Sequence, residues 1–369
     1  MPHIVLKNVS KAYERVQAID HVNLEIFDGE YLTMLGPSGC GKTTTLRAIA
    51  GLLQPDAGEI LFDGKNIIDF PPNERDIGMV FQHFEIFPYM DVWDNVTYPA
   101  RVRGKSERKI EELGVNSLNL VGMLHRANDY PEELSAPELQ KVGIARAIAT
   151  ESKLLLLDEP LGALDLKIRV DFQHELRKLV KKLNLTAIHV THDQIEAMNI
   201  SDRIAIMRKG RIYQVDSPMN LYYAPNSIFV CNFLSNSNFL EGVVDHQEMN
   251  SSVVRLRGFG PKITIPTGQW PRRTRVALGL RRNEIYFGYD HSPTKNTLSA
   301  TILKKHFLGS KTLFQLRLDN DDIIEAEVLT KEIPEEIKDS ETPVYISFDV
   351  EDVLAFEYPN NLDYELALE

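Results

Sequence analysis

The segment YLTMLGPSGCGKTTTLRAIA, residues 31–50, decides the fold of the first part of the chain. It begins with an apolar run typical of a buried strand, turns through small residues, and continues as a helix. Gly36, Gly41, Lys42 and Thr43 fit the phosphate-loop pattern G-x-x-x-x-G-K-[ST]. A glycine turn with an unrelated lysine is the alternative, and it is disfavoured because a strand precedes the loop and a helix follows it. The segment therefore predicts a site for nucleotide phosphates.

Each position in this loop has a chemical reason. Glycines allow the backbone to turn tightly and to approach a ligand closely. Successive backbone N–H groups, together with the positive end of the following helix dipole, hold phosphate oxygens. Lys42 brings a positive charge to the β- and γ-phosphates, and the Thr43 hydroxyl is a ligand for Mg²⁺.

Length and composition set the outer limits. A chain of 369 residues favours two domains. The net charge of -12, without a basic stripe, argues against nucleic acid as the main partner. Cys40 and Cys231 are the two cysteines, which fits a reduced, cytoplasmic setting better than a disulfide framework. We see no secretory segment and no run long enough to span a bilayer, so we expect any membrane role to come through a partner.

Two predicted strand ends carry further candidate residues. Residues 154–157 form an uninterrupted apolar run typical of a buried parallel strand, and Asp158 and Glu159 follow it. Ligands bind at the carboxyl ends of such strands, where one carboxylate can hold Mg²⁺ and another can orient or deprotonate water. His192 follows the next predicted strand, 186–191, at the corresponding position. A solvated acidic strand end and a structural histidine are the weaker alternatives.

The beginning of the chain is predicted to form two strands, 4–9 and 22–27, separated by a polar segment, 10–20. Tyr13 lies in that segment. It is either a half-buried loop aromatic or a platform on which adenine stacks.

A helical stretch, about 88–150, interrupts the α/β pattern of the predicted first domain, 1–235. Near its end, Ser135 and Glu138 fit the capping box S-x-x-E, and Pro137 is tolerated in the first turn of the helix. Three aromatic residues around its start form either a satellite core or an exposed contact surface: Phe84, Phe87 and Tyr89.

The polar tetrapeptide at 235–238 marks the predicted domain boundary, so the second domain spans 236–369. A hairpin turn is predicted at 319–322. Short strands with period-two character follow the boundary, at 253–256, 276–280, 312–318, 323–328 and 344–348. The pattern predicts an all-β domain resembling a small barrel, with no catalytic motif.

With these residues in place, the chain resembles the ATP-binding subunit of an ABC importer, nearest to the branch that takes up sugars, polyols and related solutes. The second domain is similar to the domain, resembling an oligonucleotide-binding fold, that ends these subunits (TOBE/MOP type). Five motifs match in order: Walker A (36–44), the approach to the Q-loop (71–82), Walker B (154–160), the D-loop (161–165) and the switch-histidine segment (190–197).

The resemblance implies an α/β fold. This is a RecA-like P-loop NTPase domain with antiparallel β and helical subdomains, followed by the all-β domain. It also implies an ATPase that uses ATP and Mg²⁺. The residues implied to bind nucleotide are Tyr13, Ser38, Gly39, Cys40, Gly41, Lys42, Thr43, Thr44 and Gln82. The implied Mg²⁺ ligands are Thr43, Gln82 and Asp158, the last through water. The implied catalytic residues are Lys42, the general base Glu159, and His192 at the γ-phosphate.

The resemblance further implies partners. Two such subunits close head to tail, so that each ATP lies between one Walker A loop and the other subunit's signature helix. The resemblance places Asp165 in the D-loop. The helical insertion and the Q-loop grip permease subunits at the cytoplasmic face of the membrane. An extracytoplasmic solute-binding protein takes part indirectly.

One motif departs from the family pattern. The signature LSGGQ is replaced by Leu134-Ser135-Ala136-Pro137-Glu138. Pro137 has no N–H for the γ-phosphate of the opposite ATP, and Glu138 adds a negative charge. Loss of one such donor costs roughly 3 kcal/mol of transition-state stabilisation. We therefore hypothesise pairing with a non-identical ATPase, and a homodimer that tolerates the change is the alternative.

Other functions remain to be weighed. An importer of iron, polyamine or sulfate is the nearest alternative to a sugar importer. A soluble ABC ATPase of translation or DNA repair is disfavoured because there is one ATPase domain, no heptads and no basic patch. A silent ATP-binding partner is disfavoured by intact Lys42, Asp158, Glu159 and His192. The second domain is either a dimer contact or a regulatory docking surface.

Overall fold

A computed structural model describes the chain at residues 3–82, 85–162, 164–258, 260–266, 270–288, 292, 294–334, 337 and 343–367. The chain divides into two compact units, 1–223 and 224–368. The predicted domain limits, 1–235 and 236–369, differ from this division by the segment that carries the helix Ile228–Ser235, and they stay a prediction. In the part of the chain that the structure describes, no helix is both long enough and apolar enough to cross a bilayer.

The first unit alternates strands and helices. Its strands are β1 (Ile4–Tyr13), β2 (Val16–Ile26), β3 (Tyr31–Leu35), β4 (Ala57–Phe62), β5 (Lys65–Asn66), β6 (Ile77–Val80), β7 (Leu154–Asp158), β8 (Thr186–Thr191), β9 (Arg203–Arg208) and β10 (Arg211–Asp216). Its helices are α1 (Lys42–Ala50), α2 (Val92–Val102), α3 (Glu107–Leu120), α4 (Ala136–Ile148), α5 (Leu166–Lys182), α6 (Gln194–Ile200) and α7 (Pro218–Tyr223).

A six-stranded sheet in the order β10-β9-β3-β8-β7-β6 forms the centre of the first unit. Its strands are parallel except β10, which pairs antiparallel with β9. Every residue of β3, β7 and β8 is buried, which explains why β3 and β7 are largely apolar in the sequence. Because parallel strands end at the same edge, the residues after β3, β6, β7 and β8 meet there.

A second sheet in the first unit, β2-β1-β4-β5, is antiparallel. The prediction that the polar segment 10–20 separates two strands is wrong, because β1 continues to Tyr13 and β2 begins at Val16. These two residues pair across a two-residue turn in which Glu14 has a φ of 51°. Backbone pairing with β2, and hydrogen bonds from Lys11 and Ala12 to one aspartate, hold this polar stretch as a strand.

The helices predicted in the insertion are present as α2, α3 and α4. They bury one shared apolar core, which includes Val92, Val96, Leu118, Val142 and Ala145. Asp91 and Ser106 cap the first two helices by accepting hydrogen bonds from backbone N–H groups.

The second unit is mainly β. Its elements are α8 (Ile228–Ser235), β11 (Asn238–Gln247), β12 (Ser251–Leu256), β13 (Lys262–Pro266), β14 (Arg275–Leu280), β15 (Tyr286–Phe287), β16 (Lys295–Phe307), β17 (Lys311–Leu318), β18 (Ile323–Leu329), β19 (Pro343–Asp349), β20 (Leu354–Glu357) and α9 (Leu362–Leu366). Two antiparallel five-stranded sheets, β13-β12-β11-β14-β20 and β15-β19-β16-β17-β18, share one core. The five predicted strands are present, and β11, β13, β15, β16 and β20 were not predicted.

Arg75, which sequence patterns did not single out, fastens α1 to the segment before β6. Its guanidinium is almost fully buried and donates to Ala48 O and Ile49 O at the carboxyl end of α1, at 2.8 and 2.9 Å. It also donates to Phe70 O at 2.8 Å and Ile68 O at 2.9 Å. The carbonyls at a helix end lack helical partners and favour a cation, so this contact fixes where α1 ends.

We predict that Arg75→Met destabilises the protein by about 3 kcal/mol, because it leaves buried carbonyls unpaired. Urea unfolding of the full-length chain measures the effect. The matched control is Arg101→Met, which breaks an exposed ion pair to Asp94 of 2.9 Å and costs less than about 1 kcal/mol. Equal losses in the two variants would contradict this role for Arg75.

Candidate functional site

The phosphate loop lies between β3 and α1 and requires glycine at two positions. A Cβ atom at Gly36 would lie 2.1 Å from Met207 O on β9. At Gly41, where φ is 106°, it would lie 2.2 Å from Ala18 O on β2. At Gly39 a Cβ would meet nothing within 4 Å. One side of the loop is therefore pressed against the two sheets, and the other side, with exposed Ser38 and Gly39, is open to a ligand.

Lys42 is buried in the first turn of α1, where the helix dipole disfavours a cation. Its ammonium group turns back and donates to Gly36 O at 2.7 Å and Pro37 O at 2.8 Å. It also lies 3.7 Å from Cys40 Sγ. Burial raises the pKa of the Cys40 thiol, so this cysteine packs in the loop as a neutral group.

Thr43 and Asp158 form the part of the site that fits a divalent cation. The Thr43 hydroxyl donates to Asp158 Oδ1 at 3.1 Å, which joins the start of α1 to the end of β7. Burial raises the pKa of Asp158, although the hydroxyl bond opposes the shift. A carboxylate desolvated in this way gains from a nearby cation, and hydroxyl and carboxylate oxygens are the donors that Mg²⁺ prefers. The residues present therefore fit the metal.

Glu159 is held on two sides by the residues predicted to act with it. Gln82 Nε2 donates to Glu159 Oε2 at 2.9 Å, and His192 Nδ1 lies 3.3 Å from Glu159 Oε1. The backbone of Glu159 has a φ of 45°, and its N–H donates to Val190 O at 2.9 Å. A left-handed conformation at a residue other than glycine stores strain, which is typical of functional sites. The ends of β6, β7 and β8 thus bring Gln82, Glu159 and His192 together.

The other predicted residues lie at separate places in the first unit. Tyr13 is at the end of β1, where 49 % of its surface is exposed and the ring is available for stacking. Thr44 follows Thr43 in the first turn of α1. Asp165 is the N-cap residue of α5, and its side chain makes no capping hydrogen bond.

The signature residues lie at the start of α4, where the predicted capping box is present. Glu138 Oε2 accepts hydrogen bonds from Ser135 N at 2.8 Å and Ser135 Oγ at 2.7 Å. These bonds lower the pKa of Glu138. Pro137 lies in the first turn and has no N–H to offer. The positive end of this helix therefore already holds a carboxylate of the chain itself.

A groove of about 630 Å³ lies between the helical insertion and the central sheet. Phe87 and Tyr98 line it with ring centroids 4.8 Å apart, and Arg146, which the sequence did not indicate, lies 5.4 Å from the Phe87 ring. Tyr89 is 93 % exposed. Of the two interpretations of these aromatics, Tyr89 fits a contact surface, Phe87 lines the groove, and Phe84 lies outside the described residues.

A glycine-rich loop on a parallel sheet, with acidic and histidine side chains at neighbouring strand ends, defines a P-loop nucleoside triphosphatase. The family model described as ABC transporter matches residues 19–162. Among solved structures, the dimeric ATP-binding cassette MJ0796 bound to ADP and Pi is 31% identical, with a TM-score of 0.53, and the match covers 58% of this chain and 98% of that chain.

Curated relatives extend the match into the second unit. The spermidine/putrescine import ATP-binding protein PotA of Thermotoga maritima is 36% identical over 87% of this chain and 88% of that protein. The protein of the same name from Trichormus variabilis is 35% identical over 97% of this chain and 94% of that protein. The sulfate/thiosulfate import ATP-binding protein CysA of Pseudomonas aeruginosa is 47% identical over 64% of this chain and 74% of that protein.

The chain therefore belongs to the ABC transporter family. Within it, the chain is an importer's ATP-binding subunit, an ATPase that uses ATP with Mg²⁺. The predicted fold class, enzyme class and cofactors are confirmed, as is the prediction of an importer subunit. The functions of the individual site residues stay predictions.

We predict that Asp158→Asn stabilises the nucleotide-free protein while it abolishes ATP turnover. The folded pKa of Asp158 is raised, so at neutral pH the ionised carboxylate costs stability. This cost disappears as pH falls through the folded pKa towards the ordinary value of about 4. Thermal unfolding of the variant at neutral pH should shift upward by about 3 °C, and the shift should vanish in acid.

The matched control is Asp28→Asn, at an exposed aspartate between β2 and β3, which should leave the unfolding midpoint unchanged. A lower midpoint for Asp158→Asn at neutral pH would contradict the desolvation argument.

Proposed function

We propose that this chain is the ATP-hydrolysing subunit that energises polyamine import through a membrane permease, from the cytoplasmic face of the membrane. The observation that carries the proposal is the convergence at one edge of the central sheet. There, Thr43 and Asp158 are hydrogen bonded beside the phosphate loop, and Glu159 contacts both Gln82 and His192.

The first role of these residues is to hold the nucleotide. The exposed ring of Tyr13 stacks on adenine, and the amides of the phosphate loop hold the phosphates. Lys42 leaves the carbonyls of Gly36 and Pro37 for the β- and γ-phosphate oxygens. Thr43 and Asp158 hold Mg²⁺, which neutralises charge that develops on the phosphates.

The second role is hydrolysis. Glu159 accepts a proton from the attacking water, and His192, 3.3 Å away, contacts the γ-phosphate. Gln82 is hydrogen bonded to Glu159 in this structure. As a ligand of Mg²⁺ it would release this bond and leave one oxygen of the base free, so the residue that holds the base would also respond to the nucleotide.

Support for polyamine as the solute comes from the relatives that match along most of the chain, which are named for spermidine/putrescine import. The relative named for sulfate/thiosulfate import makes sulfate the second candidate. The sugar or polyol class that the resemblance implied has no support among these relatives, and the alternative class replaces it.

The groove lined by Phe87, Tyr98 and Arg146 supports a permease contact. It lies beside the end of β6, close to Gln82, so a permease segment seated there is next to a residue of the nucleotide site. Burial lowers the pKa of Arg146, and the charge of Glu85, which also lines the groove, opposes that shift. A permease segment with apolar side chains fits the aromatic part of this groove. An extracytoplasmic solute-binding protein delivers the polyamine.

The uptake of labelled spermidine, putrescine, sulfate and maltose by cells that produce the complete transporter tests the proposal. We predict that Glu159→Gln abolishes polyamine uptake and lowers ATP turnover roughly a hundredfold or more, because it removes the base. Nucleotide binding should persist. Loss of sulfate uptake alone would favour the second candidate. Unchanged turnover in the variant would remove Glu159 from the role of base.

We also propose that the subunit pairs with a non-identical ATPase. The support is the start of α4, where Glu138 is bonded to Ser135 and Pro137 lacks an N–H. The γ-phosphate of an ATP bound to the opposite subunit would therefore meet a carboxylate at this helix start instead of free backbone amides. The Walker motifs of this chain then face a glycine signature of the partner, which leaves one competent and one degenerate site.

We predict that the chain carrying Glu159→Gln does not form a dimer with ATP, whereas the same chain with Ala136→Gly, Pro137→Gly and Glu138→Gln does. Light scattering after size-exclusion chromatography measures the mass. The matched control is Glu133→Gln, which removes the negative charge of an equivalent capping carboxylate at Tyr130 and should leave the chain monomeric. Two copies of the wild-type chain that hydrolyse ATP at full stoichiometry would contradict the mixed pair.

A further inference from the structure

We infer that Arg169 is a positioning residue that locks the loop carrying His192 to the turn that follows Glu159. The inference deepens the proposed function and rests on it, because it concerns two residues assigned there to hydrolysis. Arg169 lies in the first turn of α5, and its side chain is 19% exposed. It is not among the residues that sequence motifs indicated.

The guanidinium of Arg169 bridges two loops. Its Nη2 donates to Leu164 O at 3.0 Å, in the turn after β7. Its Nη1 donates to Asp193 Oδ2 at 3.0 Å, in the loop after β8. A planar guanidinium can serve both acceptors at once, whereas a lysine ammonium acts as a point charge.

These contacts complete a closed ring around the candidate catalytic pair. Gly162 N donates to Glu159 O at 3.2 Å, and Leu164 N donates to Leu161 O at 3.2 Å, which makes the turn compact. On the other side, Asp193 directly follows His192 in the sequence, and His192 Nδ1 lies 3.3 Å from Glu159 Oε1. The ring therefore sets the distance between the carboxylate and the imidazole.

The loop that carries His192 and Asp193 is held by further hydrogen bonds, so a change at Asp193 affects the position of His192. The second oxygen of Asp193 caps α6 by accepting from Glu196 N at 3.0 Å, and Asp193 N donates to Thr191 Oγ1 at 3.0 Å. Thr191 Oγ1 in turn donates to the buried carboxylate of Glu196 at 2.8 Å. Arg169 thus contacts a loop, 191–193, that other hydrogen bonds already hold at both ends.

The position of this cation has an energetic reason. A positive charge in the first turn of a helix lies at the unfavourable end of the helix dipole. The carboxylate of Asp193 offsets that cost, so the ion pair and the helix start stabilise each other. Loss of either partner removes the link between the two loops.

The chain offers a matched control on the same helix. Arg177 donates to Asp202 Oδ1 at 2.8 Å and to the carbonyl of Ile200. It therefore also joins a carboxylate and a backbone oxygen, but at the other end of α6 from His192. Arg177→Met removes the same chemistry without touching either loop.

The test compares Arg169→Met, Arg169→Lys, Asp193→Asn and Arg177→Met in the complete transporter. We expect Arg169→Met to lower kcat by roughly tenfold to a hundredfold and to leave KM for ATP within about twofold, because misplacement affects the chemical step rather than binding. Arg169→Lys should not rescue. The double variant with Asp193→Asn should be no slower than the slower single variant. Arg177→Met should keep the wild-type kcat.

Amide hydrogen exchange gives a readout that does not depend on activity. Exchange should accelerate at residues 161, 162 and 164 and at 191–193 in Arg169→Met and remain unchanged there in Arg177→Met. Unchanged exchange at these segments overturns the inference. So does a wild-type kcat in Arg169→Met when Glu159→Gln is inactive. If Glu159→Gln turns over normally while Arg169→Met accelerates exchange, the lock is supported and the proposed base is wrong.

Discussion

Close contact between backbone segments at the phosphate loop is the constraint on which the first unit depends. A side chain at Gly36 would collide with the carbonyl of Met207, and one at Gly41 with the carbonyl of Ala18. Because neither residue has a side chain, the end of β3 packs directly against β9 and β2. The helix that follows then begins at Lys42 and brings the Thr43 hydroxyl within 3.1 Å of Asp158. The positions of the loop, the helix and the acidic strand end thus depend on glycine at residues 36 and 41.

Sequence patterns predicted the centre of this arrangement well, for a physical reason. The strands β3, β7 and β8 are covered on both faces, so β3 and β7 are largely apolar runs, and the polar residues that follow the three parallel strands lie at one edge. The contacts of Glu159 with Gln82 and His192 agree with that expectation. The edge of a parallel sheet is therefore predictable when its strands are buried and its loops are short.

Long-range contacts explain what the sequence did not reveal. The strand through Tyr13 is polar, and its pairing with β2 holds it extended. Arg75 and Arg169 are ordinary charged residues in the sequence, and their roles arise from carbonyls and carboxylates far along the chain. In the second unit, β16 is rich in polar and charged residues, and its pairing with β17 and β19 holds it extended. The relatives favour the polyamine or sulfate alternative over the sugar class, and the ATP-binding motifs from which the resemblance was drawn do not contact the solute.

The hydrogen bonds of Lys42 have a consequence for ligand selection. Its ammonium group already has two neutral acceptors, the carbonyls of Gly36 and Pro37. An incoming molecule must offer the lysine something better than an amide oxygen, and only a strongly anionic group does so. Adenosine, which carries no such group, gains nothing from the exchange. We therefore expect the loop to favour phosphate-bearing nucleotides over uncharged nucleosides, because its own backbone carbonyls compete for the lysine.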